Sequence, residues 1–313
     1  MSPKTQRVVI TGGAGLLGQN LVQRLRTQGF DNLVAIDKHP ANTRVLCERN
    51  PGLLACEADL AEPGPWQDAL QDCQVLVIGH AQIGGIDPGE FTRNNVQATE
   101  RLLTAAQTHR VPYIVHISSS VVNSKATDYY TETKKAQEEL ISAISIPHII
   151  LRPTLMFGWF DRKHLGWLAR FMERSPVFPI PGSGRYSRQP LYIGDFCNII
   201  ISAIENRQTG AFNISGQEHI DYIDLIRAIR AATNSRTRIQ PIPYRLFWLL
   251  LAAYARVDRN PPFTTKQLKA LATPDVFEVI DWPGIFRVPA TALRDALTET
   301  FCDPVNSKVA LEF

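Results

Sequence analysis

The chain has 313 residues, with 33 basic against 30 acidic side chains, long enough for one large α/β domain or for a nucleotide domain with a smaller lobe. Lys and Arg are scattered, without a basic block interleaved with aromatics, which argues against a nucleic-acid partner. Cys47, Cys56, Cys73, Cys197 and Cys302 form no C-x-x-C pair and no cluster with His, so they read as reduced packing residues of a cytoplasmic protein without a metal site.

The polar start MSPKTQR shows no secretory signal pattern and leads into RVVIT, a short apolar strand. Gly12, Gly15 and Gly18 then recur every third residue into LLGQNLVQRLRTQG, which has helical periodicity. Strand, glycine turn and helix is the arrangement that lets a dinucleotide pyrophosphate approach the backbone and meet the N–H groups of a helix N-terminus. Glycines after a strand also make plain tight turns. The next apolar run decides between the two: NLVAI ends at Asp37, where a carboxylate would bond ribose hydroxyls and repel a 2′-phosphate, so NAD is expected over NADP. Lys38 beside it weakens that preference.

HPANTRVLCERNPG reads as loop and short helix, and GLLACEADL as a third strand ending at Asp59 and Leu60, with Asp59 also suited to cap a helix over EPGPWQDALQ. CQVLVIGHAQ gives a fourth strand, followed by His80, which reads as structural, and by the small Ala81. Phe91 to Arg110 reads as one long helix with Val96, Leu102, Leu103 and Ala106 toward the sheet, and VPYIVHISSS as a fifth strand ending in Ser118, Ser119 and Ser120. Alternating strands and helices dictate a Rossmann-type, doubly wound parallel sheet, whose carboxyl edge collects Thr11, Asp37, His80 and the serines. The helix beginning near DYYTETKKAQEELISAI carries Tyr130 and Lys134 four residues apart, hence on one face. A phenol with a pKa of about 10 needs roughly 4 kcal/mol of selective phenolate stabilisation to act as a base near neutrality, which a neighbouring ammonium and a positive nicotinamide would largely supply.

These residues resemble the extended short-chain dehydrogenases/reductases, in particular the NAD-dependent sugar-nucleotide epimerase/dehydratase branch. The resemblance spans about residues 7–230 and rests on TGGAGLLG (11–18), Asp37, Asp59-Leu60, NNVQATERLLTAA (94–106), HISSS (116–120), YTETK (130–134), LRPTLMFG (151–158) and GSGRYSRQPLYIGD (182–195). It implies Tyr130 as general acid/base, Lys134 as its partner and Ser119 as hydroxyl donor, with Ser120 the alternative. It implies cofactor contacts from Gly12, Gly15, Leu16, Leu17, Gly18, Asp37, Lys38, Asp59, Leu60, His80, Ala81, Gln82, Asn95, Ser118, Tyr130, Lys134 and Pro153. Arg188 would meet the diphosphate of a nucleotide sugar, and relatives of this kind often form homodimers. Three departures stand out: only ten residues separate Ser119 from Tyr130, Thr154 and Leu155 stand where the branch's usual Asn follows the LRP strand, which weakens the expected nucleotide-sugar contacts, and the serine strand continues as SVVN where dehydratases of the branch place Asp-Glu. Dehydration is accordingly disfavoured.

The expected organisation is a dinucleotide domain over 1–155, with 190–215 returning to it, and a smaller, mostly helical substrate lobe over 156–189 and 216–313. Pro241, Pro243, Pro261, Pro262, Pro274, Pro283 and Pro289 would punctuate short helices there. Trp159, Phe160, Trp167 and Trp248 read as core aromatics, with stacking on a base or sugar as the alternative. Leu246 to Ala255 (LFWLLLAAYA) is too short to span a membrane and reads as a buried helix, with a membrane surface as the alternative. The functions expected are an NAD-dependent 4-epimerase or 4-keto-sugar reductase on a nucleotide-linked sugar, then a reductase or dehydrogenase of a small ketone or steroid-like alcohol. A non-catalytic dinucleotide-binding subunit comes third, because the segment QLKALATPDVFEV resembles relatives in larger assemblies.

Overall fold

The computed structural model describes residues 4–257, 268, 278–309 and 311–312. In chain order its first half runs β1 (Arg7–Thr11), α1 (Leu16–Thr27), β2 (Leu33–Asp37), α2 (Pro40–Arg49), β3 (Leu54–Glu57), β4 (Cys73–Ile78), α3 (Pro88–Phe91), α4 (Ala98–Thr108), β5 (Ile114–Ile117), α5 (Tyr129–Ser142) and β6 (His148–Pro153). The second half runs β7 (Met156–Phe157), α6 (Leu165–Arg174), β8 (Val177–Pro181), β9 (Ser187–Arg188), β10 (Leu191–Tyr192), α7 (Ile193–Asn206), β11 (Gly210–Ile214), β12 (Ile220–Asp221), α8 (Tyr222–Ala232), β13 (Arg238–Ile242) and α9 (Tyr244–Val257), with two later helices at Trp282–Phe286 and Leu293–Cys302.

Seven strands form one parallel sheet in the order β11-β6-β5-β4-β1-β2-β3. The order reverses between β1 and β4, and that reversal opens a crevice at the carboxyl ends, because successive crossovers there depart to opposite faces. Side-chain alternation divides the core: Val8, Ile10, Val75 and Val115 pack toward α1 and α7, whereas Val9, Leu76, Ile78 and Ile114 pack toward α4 and α5.

Several elements differ from the sequence expectations. The third strand stops at Glu57, two residues short of Asp59, and residues 65–70 form a 3₁₀ turn around the buried Trp66. The long helix expected from Phe91 starts at Pro88 under an Asp87 cap and is interrupted by a π-helical turn, Thr92–Gln97. Pro241 lies within β13 and not between short helices; among the described residues β13 pairs only with β8, and a strand paired on one side tolerates a missing N–H. Pro261, Pro262 and Pro274 lie outside the described residues.

The helix expected to be buried is not. Leu246, Trp248, Leu249 and Leu250 of α9 are between 44 and 58 % exposed. Apolar residues occupy nearly the whole circumference of α9, and of its described side chains Phe247, Leu251 and Ala252 are partly covered. Among the described residues no other element packs extensively against it. The side chains of Tyr254 and Ala255 lie outside the described residues. No helix among the described residues is long and apolar enough to cross a membrane.

Candidate active site

The glycine turn is built for close approach. Gly12 has φ +67°, and a Cβ added there would lie 2.7 Å from the Gly79 carbonyl oxygen and 2.8 Å from the His80 nitrogen. At Gly18 an added Cβ would lie 2.3 Å from the Gly13 carbonyl oxygen, so α1 can pack onto the turn only with glycine there. Gly15 caps α1 in an extended conformation without a side-chain acceptor, which leaves the first-turn backbone at Leu16 and Leu17 without side-chain capping. Asp37, at the end of β2, accepts from the Ala14 N–H at 2.9 Å and the His39 N–H at 3.0 Å, one bond per carboxylate oxygen. Each oxygen keeps a further lone pair. The turn, the free helix end and the acceptor beside it fit a dinucleotide such as NAD.

The neighbouring residues divide into groups at the crevice and groups that brace it. Lys38 Nζ donates to Asn94 Oδ1 at 2.9 Å. Asp59 accepts from the Ala61 N–H at 2.9 Å, which closes a turn and starts no helix, and from Arg93 at 2.6 Å. Burial would raise its carboxyl, but these bonds outweigh it and hold it below the usual range. Leu60 is buried next to it. His80 is a brace: its ring nitrogens lie 2.9 Å from Thr11 Oγ1 and 3.2 Å from Thr99 Oγ1. Burial, with the charges of Lys134 and Lys38, lowers its pKa to about 3, so the ring is neutral. Asn95 is fully buried inside the π-helical turn, accepts from the Gln82 N–H at 2.6 Å and donates to Gln82 O and Thr133 Oγ1. Its amide therefore ties the loop of Ala81 and Gln82 to α5 instead of facing the crevice.

Ser119 and Tyr130 come together: the Ser119 hydroxyl lies near enough to the phenol to favour its ionised form. Ser118 turns away, donating to Glu138 Oε1, and Ser120 opens the 3₁₀ turn Ser120–Asn123. Of the two candidate serines, it is Ser119 that influences the phenol. Burial raises the Tyr130 pKa, the nearby Ser119 hydroxyl opposes that, and Asp128 adds to it. Tyr130 at rest is a protonated phenol. Lys134, 1 % exposed, donates to the Ile117 carbonyl at 2.9 Å and to Gln137 Oε1 at 2.7 Å. Burial lowers its pKa from the ordinary 10.5 to about 7, with Glu138 pulling the other way. An ammonium has three donors and two are used here.

Residues outside the sequence expectations complete this arrangement. Gln137 passes the Lys134 bond on to Asn95 O and Thr99 Oγ1. Glu138 accepts from both Arg152 Nε at 2.9 Å and Arg152 Nη2 at 2.6 Å, linking α5 to β6. The signal was present: 134, 137, 138 and 141 have the spacing of a buried helix stripe, although three of the four are polar. Pro153 ends β6 in register with Ile214 of β11. Arg188 lies on β9, opposite Ile220 of β12, its guanidinium 5.4 Å from the Tyr186 ring centre. Trp159 and Phe160 stack with Arg24 and Arg49, and Trp167 lies on Phe171, so three of the four singled-out aromatics are engaged within the fold. Most of the segment 267–279 lies outside the described residues.

A parallel doubly wound sheet whose carboxyl edge carries a glycine turn, an acidic strand end and a Ser-Tyr pair defines a dinucleotide-binding protein of the Rossmann class. The profile of the NAD dependent epimerase/dehydratase family matches residues 8–215, and the chain belongs to that family. It is 26% identical over 269 residues to the low-salt glycan biosynthesis protein Agl12 of Haloferax volcanii, covering 74% of this chain and 84% of that protein. It is 23% identical to a 2-alkyl-3-oxoalkanoate reductase of Stenotrophomonas maltophilia over 86% of this chain and 90% of that one. Among solved structures, the UDP-glucuronic acid 4-epimerase of Bacillus cereus in complex with NAD superposes with a TM-score of 0.72 at 22% identity, covering 95% of this chain and 98% of the other.

Proposed function

We propose that the protein transfers hydride between bound NAD and a secondary-alcohol or keto carbon of a nucleotide-linked sugar, as a 4-epimerase or 4-keto-sugar reductase. The observation that carries this reading is the approach of Ser119 to the Tyr130 phenol at the sheet's carboxyl edge, with Lys134 one helical turn further along the same face. NAD, when bound, supplies the hydride acceptor or donor. Gly12 and Gly18 keep the backbone open to the pyrophosphate, and Asp37 offers its remaining lone pairs to the ribose hydroxyls. Ser119 orients the substrate oxygen, and Tyr130, a phenol at rest, delivers a proton to it or withdraws one from it. Lys134 has one donor left for a ribose hydroxyl, and its charge favours the phenolate form of Tyr130. Arg188, from the second lobe, is assigned to the substrate diphosphate. No carboxylate pair follows the serines, so elimination is not part of the reading.

A second reading, reduction of an aliphatic ketone by the same three residues, is favoured by the match to the 2-alkyl-3-oxoalkanoate reductase across most of both chains. One experiment separates the two. The protein is incubated with a panel of nucleotide sugars, nucleotide 4-keto-sugars and 3-oxo-acyl ketones, with and without 4-deuterated NADH, and products are read by mass and chromatographic position. Epimerisation without added dinucleotide, or deuterium on the sugar, supports the first reading. Deuterium only on the acyl ketones transfers the assignment to the second. Tyr130→Phe should lower the productive rate by about 10²–10⁴-fold, the usual size of general acid–base catalysis; an unchanged rate would remove Tyr130 from the mechanism.

A further inference from the structure

The outward side of α9 carries an ordered apolar stripe. Leu246, Leu249, Leu250 and Ala253 fall at i, i+3, i+4 and i+7, the spacing of one helix face, and all four are exposed. Trp248, 44 % exposed, flanks the stripe, and Tyr244, 38 % exposed, stands at the helix start. Soluble helices turn such a stripe inward; here it is the partly covered Phe247 and Leu251 that face the protein. A contiguous apolar patch of this kind marks an interaction surface.

The charge around it names the partner. Residues 225–257 contain six arginines and neither Asp nor Glu. Arg245 lies within α9, and Arg236 and Arg238, both exposed, lie on the segment that leads into it. Arg236 and Arg238, with Arg174, also line an open groove of about 740 Å³ at the start of β13, where Glu173 is the one carboxylate. We propose that α9 is a membrane-surface anchor, lying in the headgroup region of an anionic bilayer with its leucines toward the acyl chains. Fourteen residues give a helix about 21 Å long, too short to cross a bilayer but suited to lying in its interface, with arginines on phosphates and Trp and Tyr at headgroup level. A second copy of the chain fits less well, because a two-fold contact through α9 would bring two arginine-bearing surfaces together.

The test uses the full-length protein and sucrose-loaded vesicles of phosphatidylcholine, alone or with about one-third phosphatidylglycerol. The expected result is sedimentation with the anionic vesicles, weakened by salt, and little with the neutral ones. Leu249→Glu/Leu250→Glu should weaken the anionic-vesicle binding at least about tenfold, and Arg238→Gln/Arg245→Gln should remove the preference for anionic lipid. Both doublets change exposed side chains, and far-UV circular dichroism checks that the fold is kept. Absence of vesicle binding by the unaltered protein overturns the proposal. So does binding unchanged in the Glu doublet, or a dimer in solution that the Glu doublet converts to monomer, which assigns the stripe to a second copy.

Discussion

The helices α5 and α9 are both 14 residues long, and they invert one another. In α5 a lysine, a glutamine and a glutamate are buried, while in α9 three leucines and a tryptophan are exposed. The difference lies in the neighbours. α5 is pressed between the π-helical turn, α4 and the ends of β5 and β6, where each buried polar group meets a fixed partner. α9 leaves β13 with only Phe247, Leu251 and Ala252 partly covered among its described side chains. Burial follows from what the topology stacks against a helix, and a polar stripe is tolerated inside when its hydrogen bonds are complete.

The sharpest way to break this comparison is to remove a partner from α5. Arg152→Leu leaves Glu138 buried without its guanidinium and should cost about 3–5 kcal/mol in urea unfolding, the usual price of a broken buried pair. A cost near zero would mean that Glu138 takes up a proton or meets water. Gly12→Ala should follow: its left-handed φ alone costs about 1–3 kcal/mol, and the added Cβ would strike the Gly79 carbonyl. Dinucleotide binding measured by calorimetry should fall with stability. The third effect is confined in pH. Lys134 binds its proton less tightly in the folded state (about 7 against 10.5), so the unfolded chain holds more protons in that window and stability should rise as pH rises from about 7 toward 10.5. Lys134→Met should flatten that rise in melting temperature, and an equal slope in both proteins would assign it elsewhere. Smallest of all, Leu249→Glu in α9 should change stability by no more than about 0.5 kcal/mol, as exposed substitutions do. A larger loss would show that the leucine is packed.

The sheet was legible in the sequence because its strands are short apolar runs and its turns carry glycine at fixed offsets. The meeting of Thr11, Asp37 and His80 at one edge follows from parallel topology alone. What escaped the sequence depends on contacts between distant segments. Lys134 reads as the partner of Tyr130 one turn away, but nothing in the sequence shows that its ammonium is held inside; that needs Gln137, bonded to Thr99 of α4 38 residues away. Asn95 reads as a cofactor contact until the π-helical turn is seen to draw its amide inward. α9 was misjudged because LFWLLLAAYA looks like core, and hydrophobicity does not reveal whether a partner element exists.

The seventh strand has a consequence for synthesis. β6 ends at Pro153 and its partner β11 starts at Gly210, so 57 positions of chain separate the two. At about 5–20 residues per second the ribosome needs roughly 3–11 seconds to supply that partner. Throughout that interval one flank of β6 displays unpaired amides and carbonyls, a template on which a nascent neighbour can nucleate. Codon choice across 154–210 therefore sets how long each newborn molecule stays vulnerable to aggregation before its sheet is sealed.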